Sequence, residues 1–326
     1  MGNCPRFLYI NGMNVTSNIM PQGPEAYNRA LDILRRGGLA ALPTETVYGL
    51  AADAGNDAAV AKVYALKGRP SHNPLIAHVL RPDWVDDLAQ VNDLARTLMD
   101  EFWPGPLTLV LPRKESDLSA AAGGWLPTIA LRCPDTQWAS AFVDAGWTSP
   151  LFMPSANISG RISPTTAAHV AADFGADIEL IVDGGPCRGG VESTVLEIHE
   201  NYALLLRPGT LAAEALAPFI SDLRLPSKSA AISAPGMLAS HYAPRAKVRL
   251  NAVSVNEGEV HLGFGDIAGE LNLSPRGDTR EAARHLYDYL RRLDRADIRV
   301  IAVAPIPQDG LGQAINDRLT RAAAER

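Results

Sequence analysis

The stretch Leu39-Ala-Ala-Leu-Pro-Thr-Glu-Thr-Val-Tyr-Gly-Leu50 places a short apolar run directly before a cluster of polar side chains. Leu39–Leu42 is predicted to form a buried strand, and Glu25–Arg36 before it a helix that Gly37-Gly38 ends. Pro43–Leu50 carries two threonine hydroxyls, a carboxylate and a phenol, and polar groups at the end of an apolar strand can line a crevice. Spacing alone is more typical of a strand-to-helix turn whose threonines cap backbone groups.

The alternation of short apolar runs with helical periods continues to Pro208 and indicates a mixed α/β domain. The other strands predicted there are Leu75–Val79, Leu107–Leu111, Thr128–Arg132, Leu151–Met153, Glu179–Val182, Thr194–Ile198 and Ala203–Arg207. The other helices are Ala58–Leu66, Asp93–Phe102, Gln137–Ala145 and Thr165–Phe174.

A stretch rich in proline and serine follows Leu211 and predicts an interdomain linker. Beyond it, the sequence predicts the strands Val248–Val255, Val260–Phe264 and Val300–Val303 and the helices Thr279–Leu293 and Leu311–Ala324. We therefore predict a twisted mixed-sheet domain over residues 1–211, a linker over 212–246 and a small open-sheet α/β domain over 247–326.

The composition fits this organisation. A chain of 326 residues is about twice a common domain length. With 47% hydrophobic and 20% charged residues it can bury a sizeable core, which argues against a disordered or fibrous protein. The net charge of −6 argues against a surface that binds nucleic acid or an acidic membrane throughout, but it permits a local basic cleft.

Cysteine content and hydropathy point to the cytoplasm. The three cysteines, Cys4, Cys133 and Cys187, lie too far apart to support a disulfide framework or a cysteine zinc site. Met1–Met20 holds no uninterrupted apolar signal core, and no later stretch approaches the roughly 18 apolar residues of a membrane span. We expect a soluble cytoplasmic protein with no membrane partner.

A second polar cluster, Lys67-Gly-Arg-Pro-Ser-His-Asn-Pro-Leu75, follows a predicted helix. Lys67 and Arg69 flank a glycine, and two fixed cations in a loop suit a polyphosphate. The loop has neither Walker A spacing nor a G-x-G-x-x-G turn. A charged loop is solvated surface about as often, and a histidine such as His78 in an apolar run is more often a core residue than a ligand.

Polar groups recur at the ends of other predicted strands. Arg132 closes Thr128–Arg132, and its planar fork suits a carboxylate, although an internal salt bridge is the alternative. Pro154–Gly160 supplies hydroxyl and amide groups on a tight loop that is also typical of ordinary turns. Glu192-Ser193-Thr194 and Arg207-Pro-Gly209 repeat the pattern. These edges predict a common crevice.

Taken together, the segments P-T-E-T-V-Y-G-L, K-G-R-P with N-P-L and His78, W-P-G-P-L-T, S-A-N-I-S-G, E-S-T-V and R-P-G-T resemble the YrdC-type family across residues 24–211. Pro235-Gly-Met237 and His241-Tyr-Ala-Pro244, followed by a further α/β domain, resemble the two-domain L-threonylcarbamoyladenylate synthases within it. The resemblance implies a YrdC-like twisted sheet and a Rossmann-like C-terminal domain.

The resemblance also implies an activity: a nucleotidyltransferase that joins L-threonine, bicarbonate or CO2, and ATP into threonylcarbamoyl-AMP and releases pyrophosphate. The product would serve the threonylcarbamoyladenosine (t6A) modification of tRNA next to the anticodon, carried out by separate downstream transferase proteins. Direct binding of tRNA is not predicted. No cluster of acidic residues predicts a metal cage, so we expect Mg2+ to be held mainly through the ATP phosphates.

Matched residue by residue, the family's threonine-binding positions would be Thr46, His78, Arg132, Ser155 and Ser193. Its ATP-binding positions would be Lys67, Arg69, Asn73, Thr128, Asn157, Thr165, Arg207 and Tyr242. Lys67 and Arg69 are the cations expected at the reacting phosphates. The linker that carries Tyr242, with the second domain behind it, is expected to act as a lid that excludes water.

Two other functions stay open on sequence grounds. An RNA-binding module could use the same basic loop without catalysis, although the net charge and the lack of an Arg/Lys run disfavour it. A carbamoyltransferase that uses carbamoyl phosphate is not supported by a separate phosphate signature. Hydrolases are disfavoured because no H-E-x-x-H sequence occurs and Ser155 lies in P-S-A-N rather than G-x-S-x-G.

Overall fold

The computed structural model of this protein describes residues 9–10, 13–14, 18–226 and 241–325. Within these residues it contains one large mixed β-sheet and a separate, smaller parallel sheet, each with helices packed against it. This arrangement confirms the predicted fold class. A short antiparallel ribbon of β1 (Tyr9–Ile10) and β2 (Met13–Asn14) precedes the large sheet.

The large sheet is built from short strands. They are β3 (Ile19–Pro21), β4 (Ala40–Leu42), β5 (Gly49–Asp53), β6 (Ala77–His78), β7 (Leu107–Pro112), β8 (Thr128–Arg132), β9 (Leu151–Phe152), β10 (Leu180–Asp183), β11 (Thr194–Ile198), β12 (Ala203–Arg207) and β13 (Leu223–Arg224). Their order across the sheet is β13-β12-β11-β7-β8-β6-β9-β5-β4-β10-β3. The C-terminal ends of the parallel neighbours β6 and β8 therefore meet at one edge, which brings His78 beside Arg132.

The helices of this domain cover both faces of the sheet. They are α1 (Pro24–Arg35), α2 (Asp57–Lys67), α3 (Val85–Leu88), α4 (Asp93–Phe102), α5 (Gln137–Asp144), α6 (Ala167–Phe174) and α7 (Ala213–Leu216). Ala40 and Leu42 pack into the apolar cluster under α1 and α5, while Leu39 and Ala41 pack into the cluster on the other face. This alternation follows from the two-residue period of a strand.

Helix α2 shows how local sequence places the basic loop. The Asn56 side chain accepts a hydrogen bond from the backbone N–H of Ala59 and caps the first turn. Gly68 takes a left-handed φ of 58° and ends the helix. Lys67 therefore lies on the last turn of α2, and Arg69 begins the loop that leaves it.

The polar stretch after β4 is a hairpin connection rather than the strand-to-helix turn that spacing favours. Strand β5 pairs antiparallel with β4, and Leu42 lies opposite Gly49. A Cβ at Gly49 would lie 2.4 Å from the Met153 Cγ, so only glycine permits this approach. The sequence prediction missed β5 because its residues, GLAAD, are small and carry no clear apolar alternation.

The second domain is a four-stranded parallel sheet with two helices, as far as the described residues extend. Its elements are β14 (Lys247–Arg249), β15 (Glu259–Gly263), β16 (Leu271–Asn272), α8 (Thr279–Leu293), β17 (Val300–Val303) and α9 (Gly312–Ala323), with strand order β14-β17-β15-β16. The strand predicted to reach Val255 ends at Arg249, because Asn251 takes a left-handed φ of 55°.

The predicted linker is partly incorporated into the first domain. Helix α7 and strand β13 fall within residues 212–246, and β13 pairs in parallel with β12 at the edge of the large sheet. The Pro235-Gly-Met237 motif lies outside the described residues, whereas His241 and Tyr242 lie within them. Among the helices of the described residues, none combines the length and apolarity needed to cross a membrane.

Candidate functional site

A buried cavity of about 60 Å³ lies at the edge of the large sheet where several strands end. That volume corresponds to about two water molecules. Seven of the residues predicted from the sequence line it: Thr46, Arg69, His78, Arg132, Ser155, Arg207 and Tyr242. The structure therefore brings together side chains from distant parts of the chain.

Arg132 forms a buried ion pair at the end of β8. Its Nη2 donates to the Glu45 Oε1 at 2.6 Å and to the Thr46 Oγ1 at 3.0 Å. The Glu45 Oε2 is buried and has no hydrogen-bond partner among the described residues. Arg132 therefore forms an internal salt bridge and also lines the cavity, where a ligand can reach it. The two alternatives that the sequence left open do not exclude each other.

The hairpin loop is held in shape by Thr44. Its hydroxyl donates to the Val47 carbonyl at 2.6 Å and accepts from the backbone N–H groups of Thr46 and Val47. The loop's phenol, Tyr48, donates to the Gly185 carbonyl at 2.8 Å. The two threonines of the motif thus differ in role, since Thr44 pins the backbone and Thr46 faces Arg132 and the cavity.

His78 is a neutral histidine at the end of β6. Burial, together with the charge of Arg132, lowers its pKa to about 3. The Ile76 carbonyl can only accept, so the contact of 3.2 Å assigns the proton to Nδ1. Nε2 is therefore left as an acceptor on a ring that lines the cavity.

Of the two cations of the basic loop, only Arg69 lines the cavity. Its Nη2 donates to the Pro74 carbonyl at 2.8 Å, and burial lowers its pKa to about 10, which leaves it charged at neutral pH. The Lys67 ammonium is fully buried and donates to the carbonyls of Ser155 and Asn157. In this conformation Lys67 clamps the neighbouring loop, and its predicted contact with phosphate stays a prediction.

Asn73 carries an unsatisfied amide. Its residue surface is 1% exposed, and neither its Oδ1 nor its Nδ2 has a hydrogen-bond partner among the described residues. A buried polar group without a partner destabilises a fold by about 1–3 kcal/mol. Such a cost is typical of a group reserved for a ligand, which agrees with the ATP-binding position that the resemblance implies.

The loop Pro154–Gly160 divides its polar groups between structure and cavity. The Ser155 Oγ donates to the Asn157 Oδ1 at 2.6 Å and lines the cavity. The Asn157 Nδ2 donates to the carbonyls of Ile158 and Arg161, each at 2.8 Å. The Asn157 side chain is therefore committed to the loop in this conformation.

Ser193 and Arg207 form a buried pair, of which Arg207 lines the cavity. The Arg207 Nη2 donates to the Ser193 carbonyl at 2.9 Å and to its Oγ at 3.2 Å, while the Thr108 hydroxyl lies 2.7 Å from the same Oγ. Glu192, next to Ser193, reaches the cavity itself. The sequence analysis quoted Glu192 in its motif but assigned it no role.

Tyr242 covers the cavity from the segment that enters the second domain. It is buried and takes a left-handed φ of 61°, which is a strained conformation for a residue with a large side chain. The next residue, Ala243, donates its backbone N–H to the Gly160 carbonyl at 2.9 Å. His241 also lines the cavity, and burial lowers its pKa to about 3. This segment forms part of the cavity wall.

Two other predicted positions, Thr128 and Thr165, are not among the residues that line the cavity. Thr128 begins β8, roughly 13 Å along the strand from Arg132. Thr165 precedes α6, which begins at Ala167 and not at the predicted Thr165, and its backbone N–H donates to the His169 Nδ1 at 3.3 Å. The polar residues missed as site residues are Glu45, Glu192 and His241, each of which stood inside a quoted motif.

Comparisons with known proteins cover both domains. The family model described as "Telomere recombination" (Sua5/YciO/YrdC) matches residues 32–209, and the one described as "Threonylcarbamoyl-AMP synthase, C-terminal domain" matches residues 210–324. The chain is 40% identical to a threonylcarbamoyl-AMP synthase of Pyrococcus abyssi, over 91% of this chain and 94% of that one. It is 38% identical to that of Bacillus subtilis, over 96% and 97%.

A similar solved structure covers both domains. The crystal structure of P. abyssi Sua5 complexed with L-threonine superimposes with a TM-score of 0.84 at 37% identity, covering 94% of this chain and 96% of that one. The two-domain fold of the described residues is therefore similar to that of a protein whose structure was solved with L-threonine.

Proposed function

The chain belongs to the Sua5/YciO/YrdC family, and on that premise we propose that it makes threonylcarbamoyl-AMP from L-threonine, bicarbonate or CO2, and ATP, with release of pyrophosphate. One observation carries the proposal most directly. A buried guanidinium, Arg132, faces the same cavity as two further arginines, Arg69 and Arg207. A small acid and a polyphosphate are the ligands that such a set can bind together.

Threonine recognition follows from the wall around Arg132. The guanidinium suits the threonine carboxylate, and the hydroxyls of Thr46 and Ser155 offer hydrogen bonds to its side chain or amine. Because Arg132 is already paired with Glu45, the carboxylate of threonine has to share or replace that partner. The neutral His78 adds an acceptor without adding charge.

The reaction needs positioned cations and no protein nucleophile. The neutral threonine amine forms an N–C bond with CO2 while the electron pair of one C=O bond moves to oxygen, and the nitrogen releases a proton to water, which yields a carbamate. A carbamate oxygen then attacks the α-phosphorus of ATP, and the bond to the pyrophosphate oxygen breaks. Arg69 and Arg207 would stabilise the negative charge that accumulates there. We assign the nucleotidyltransferase class on this basis.

Mg2+ would be delivered with the nucleotide. Among the described residues no group of three or more His, Cys, Asp or Glu side chains could hold a metal ion. We propose that the ion binds the ATP phosphates and water and relies little on the protein. When bound, Mg2+ would supply positive charge at the phosphates.

The product is an activated threonylcarbamoyl group, so a separate transferase is needed to move it to tRNA for t6A formation. We propose such proteins as downstream partners, and the expected cytoplasmic location fits that role. The alternative of an RNA-binding module is less well supported. Arg132 and Arg207 are each 4% exposed, which leaves their charge inside the protein and not on an RNA-binding face.

Pyrophosphate release from ATP tests the proposal, with each amino acid in turn and with or without bicarbonate. We expect release that requires both L-threonine and bicarbonate and that Arg132→Ala abolishes. Arg81→Ala is the matched control, because Arg81 is exposed and pairs only locally, with Asp83. Release that is indifferent to threonine would contradict the proposal.

A further inference from the structure

Helix α8 of the second domain docks on the first domain through one face. The four residues of this face are spaced i, i+3, i+4 and i+7, which places them on a single stripe. The Arg284 Nε donates to the Arg188 carbonyl at 2.8 Å, the Tyr287 hydroxyl to Glu192 at 2.9 Å, the Asp288 Oδ1 lies 3.2 Å from the His169 Nε2, and the Arg291 Nη2 lies 2.7 Å from the Asp173 Oδ2.

Gly190 permits the closest part of this contact. It takes a left-handed φ of 78°, and a Cβ there would lie 2.2 Å from the Ala283 carbonyl oxygen on α8. No side chain can occupy that space without separating the helix from the loop. The docking therefore depends on the loop that leads directly into Glu192 and Ser193.

Glu192 is the centre of a buried polar cluster between the domains. Its carboxylate accepts from the Ser163 hydroxyl at 2.6 Å, from the Tyr287 hydroxyl and from the Arg318 Nε at 2.9 Å. Burial alone would raise the pKa of Glu192, but the guanidiniums of Arg318 and Arg207 and the Ser163 hydroxyl lower it to about 2. The cluster is therefore a fixed ionic group at neutral pH.

Arg318, on α9, extends this cluster to two parts of the cavity wall. Its Nη1 donates to the Pro208 carbonyl at 2.7 Å, one residue beyond Arg207. Its guanidinium also lies 5.2 Å from the centre of the Tyr242 ring, within the range of a cation–π contact. The Tyr287 ring stacks on the Tyr242 ring, with 5.8 Å between the two ring centroids.

We propose that Arg318 and Tyr287, both in the second domain, are positioning residues for ATP. Neither lines the cavity, but together they contact Tyr242 and Glu192, which do line it, and the Pro208 carbonyl, which follows the lining residue Arg207. The inference rests on the proposed function, since it assigns the ATP-facing wall to Arg207 and Tyr242. It makes the second domain part of the binding site and not only a cover.

The effect of losing the contacts that Arg318 makes with the cavity wall must be distinguished from the effect of leaving the buried Glu192 carboxylate without its partner. Arg318→Met leaves Glu192 buried without its guanidinium and would destabilise the fold by itself. Glu192→Gln removes that charge, so the double variant Arg318→Met/Glu192→Gln is compared with Glu192→Gln alone. These two proteins differ in the charge of Arg318 and in its contacts with Pro208, Tyr242 and Asp317.

We expect the double variant to bind ATP about tenfold more weakly than Glu192→Gln, the effect of losing one hydrogen bond and one cation–π contact. Threonine affinity should stay unchanged, because the hydrogen bonds of Arg132 go to Glu45 and Thr46 and do not involve Arg318. Tyr287→Phe keeps the ring beside Tyr242 and loses only the hydroxyl, so it should weaken ATP binding less. Tyr289→Phe, on α8 but outside its docking face, and Arg280→Met, exposed in the first turn of the same helix, are matched controls.

Calorimetric titration with ATP at saturating threonine, and with threonine alone, measures both affinities without relying on turnover. Equal ATP affinity in Glu192→Gln and the double variant would overturn the inference, and so would equal loss of ATP and threonine affinity. Failure of the unaltered protein to bind ATP and to release pyrophosphate would instead contradict the proposed function.

Discussion

Protonation of Glu192 should weaken the buried polar cluster between the domains and lower the folding stability at acid pH. In the folded protein its pKa is about 2, against an ordinary value of 4.5. The native state therefore binds fewer protons than the unfolded chain between these values, and folding stability falls as the pH is lowered. The contribution is fully present above pH 4.5 and is lost as the pH falls through 2.

The magnitude follows from the size of the shift. A change from 4.5 to about 2 corresponds to about 3 kcal/mol of unfolding free energy. In Glu192→Gln the side chain cannot titrate, so this acid-dependent part should be missing. The variant should be less stable than the unaltered protein at pH 7, because Arg318 loses its buried partner, and the difference should shrink by about 3 kcal/mol near pH 2.

Urea unfolding from pH 7 to pH 2, followed by tryptophan fluorescence and far-ultraviolet circular dichroism, measures this difference. Glu257→Gln is the control, because Glu257 is exposed in a loop of the second domain and should leave the pH profile unchanged. If Glu192→Gln and the unaltered protein lost stability in parallel across the whole range, the reasoning about the cluster would be refuted.

Three further substitutions test the first domain. Asn73→Ala should leave the unfolding free energy unchanged or raise it by about 1 kcal/mol, because the amide is unsatisfied, while the KM for ATP rises; a clear loss of stability in urea unfolding would contradict this. Lys67→Met removes the donor of two buried carbonyls, so it should lower the unfolding free energy by at least about 2 kcal/mol and raise the KM for threonine. Unchanged stability with a raised KM for ATP would favour a contact between Lys67 and phosphate instead. Tyr48→Phe should cost about 1–3 kcal/mol in the same assay with little change in ATP affinity, and an unaltered urea midpoint would argue against its anchoring role.

Much of the fold could be predicted from the amino-acid sequence. The predicted strands Thr128–Arg132, Thr194–Ile198 and Ala203–Arg207 and the helix Thr279–Leu293 have the bounds found in the structure. Their apolar periods are strong and their ends carry clear capping or polar signals. Strand β5, made of small residues, offered neither signal and was missed.

The residues of the cavity were also partly accessible, because polar side chains at the ends of apolar strands must meet at the sheet edge. What the sequence did not decide was the partner of each one. The residue type of Arg132 alone is compatible with a solvated side chain, an internal ion pair or a contact with a ligand. Glu45, 87 positions away, became its partner only when the hairpin loop came to lie beside the end of β8.

The sequence by itself determined most of the strands, several helix ends and the kinds of groups that the cavity contains, since these depend on local periodicity and on near neighbours along the chain. The tertiary structure decided what each buried charge does. Lys67 clamps two carbonyls, and Glu192 joins Arg318, 126 positions away, in a cluster between the domains. Burial makes a charge depend on whichever partner the topology brings within hydrogen-bond distance, and that partner is not encoded in local sequence.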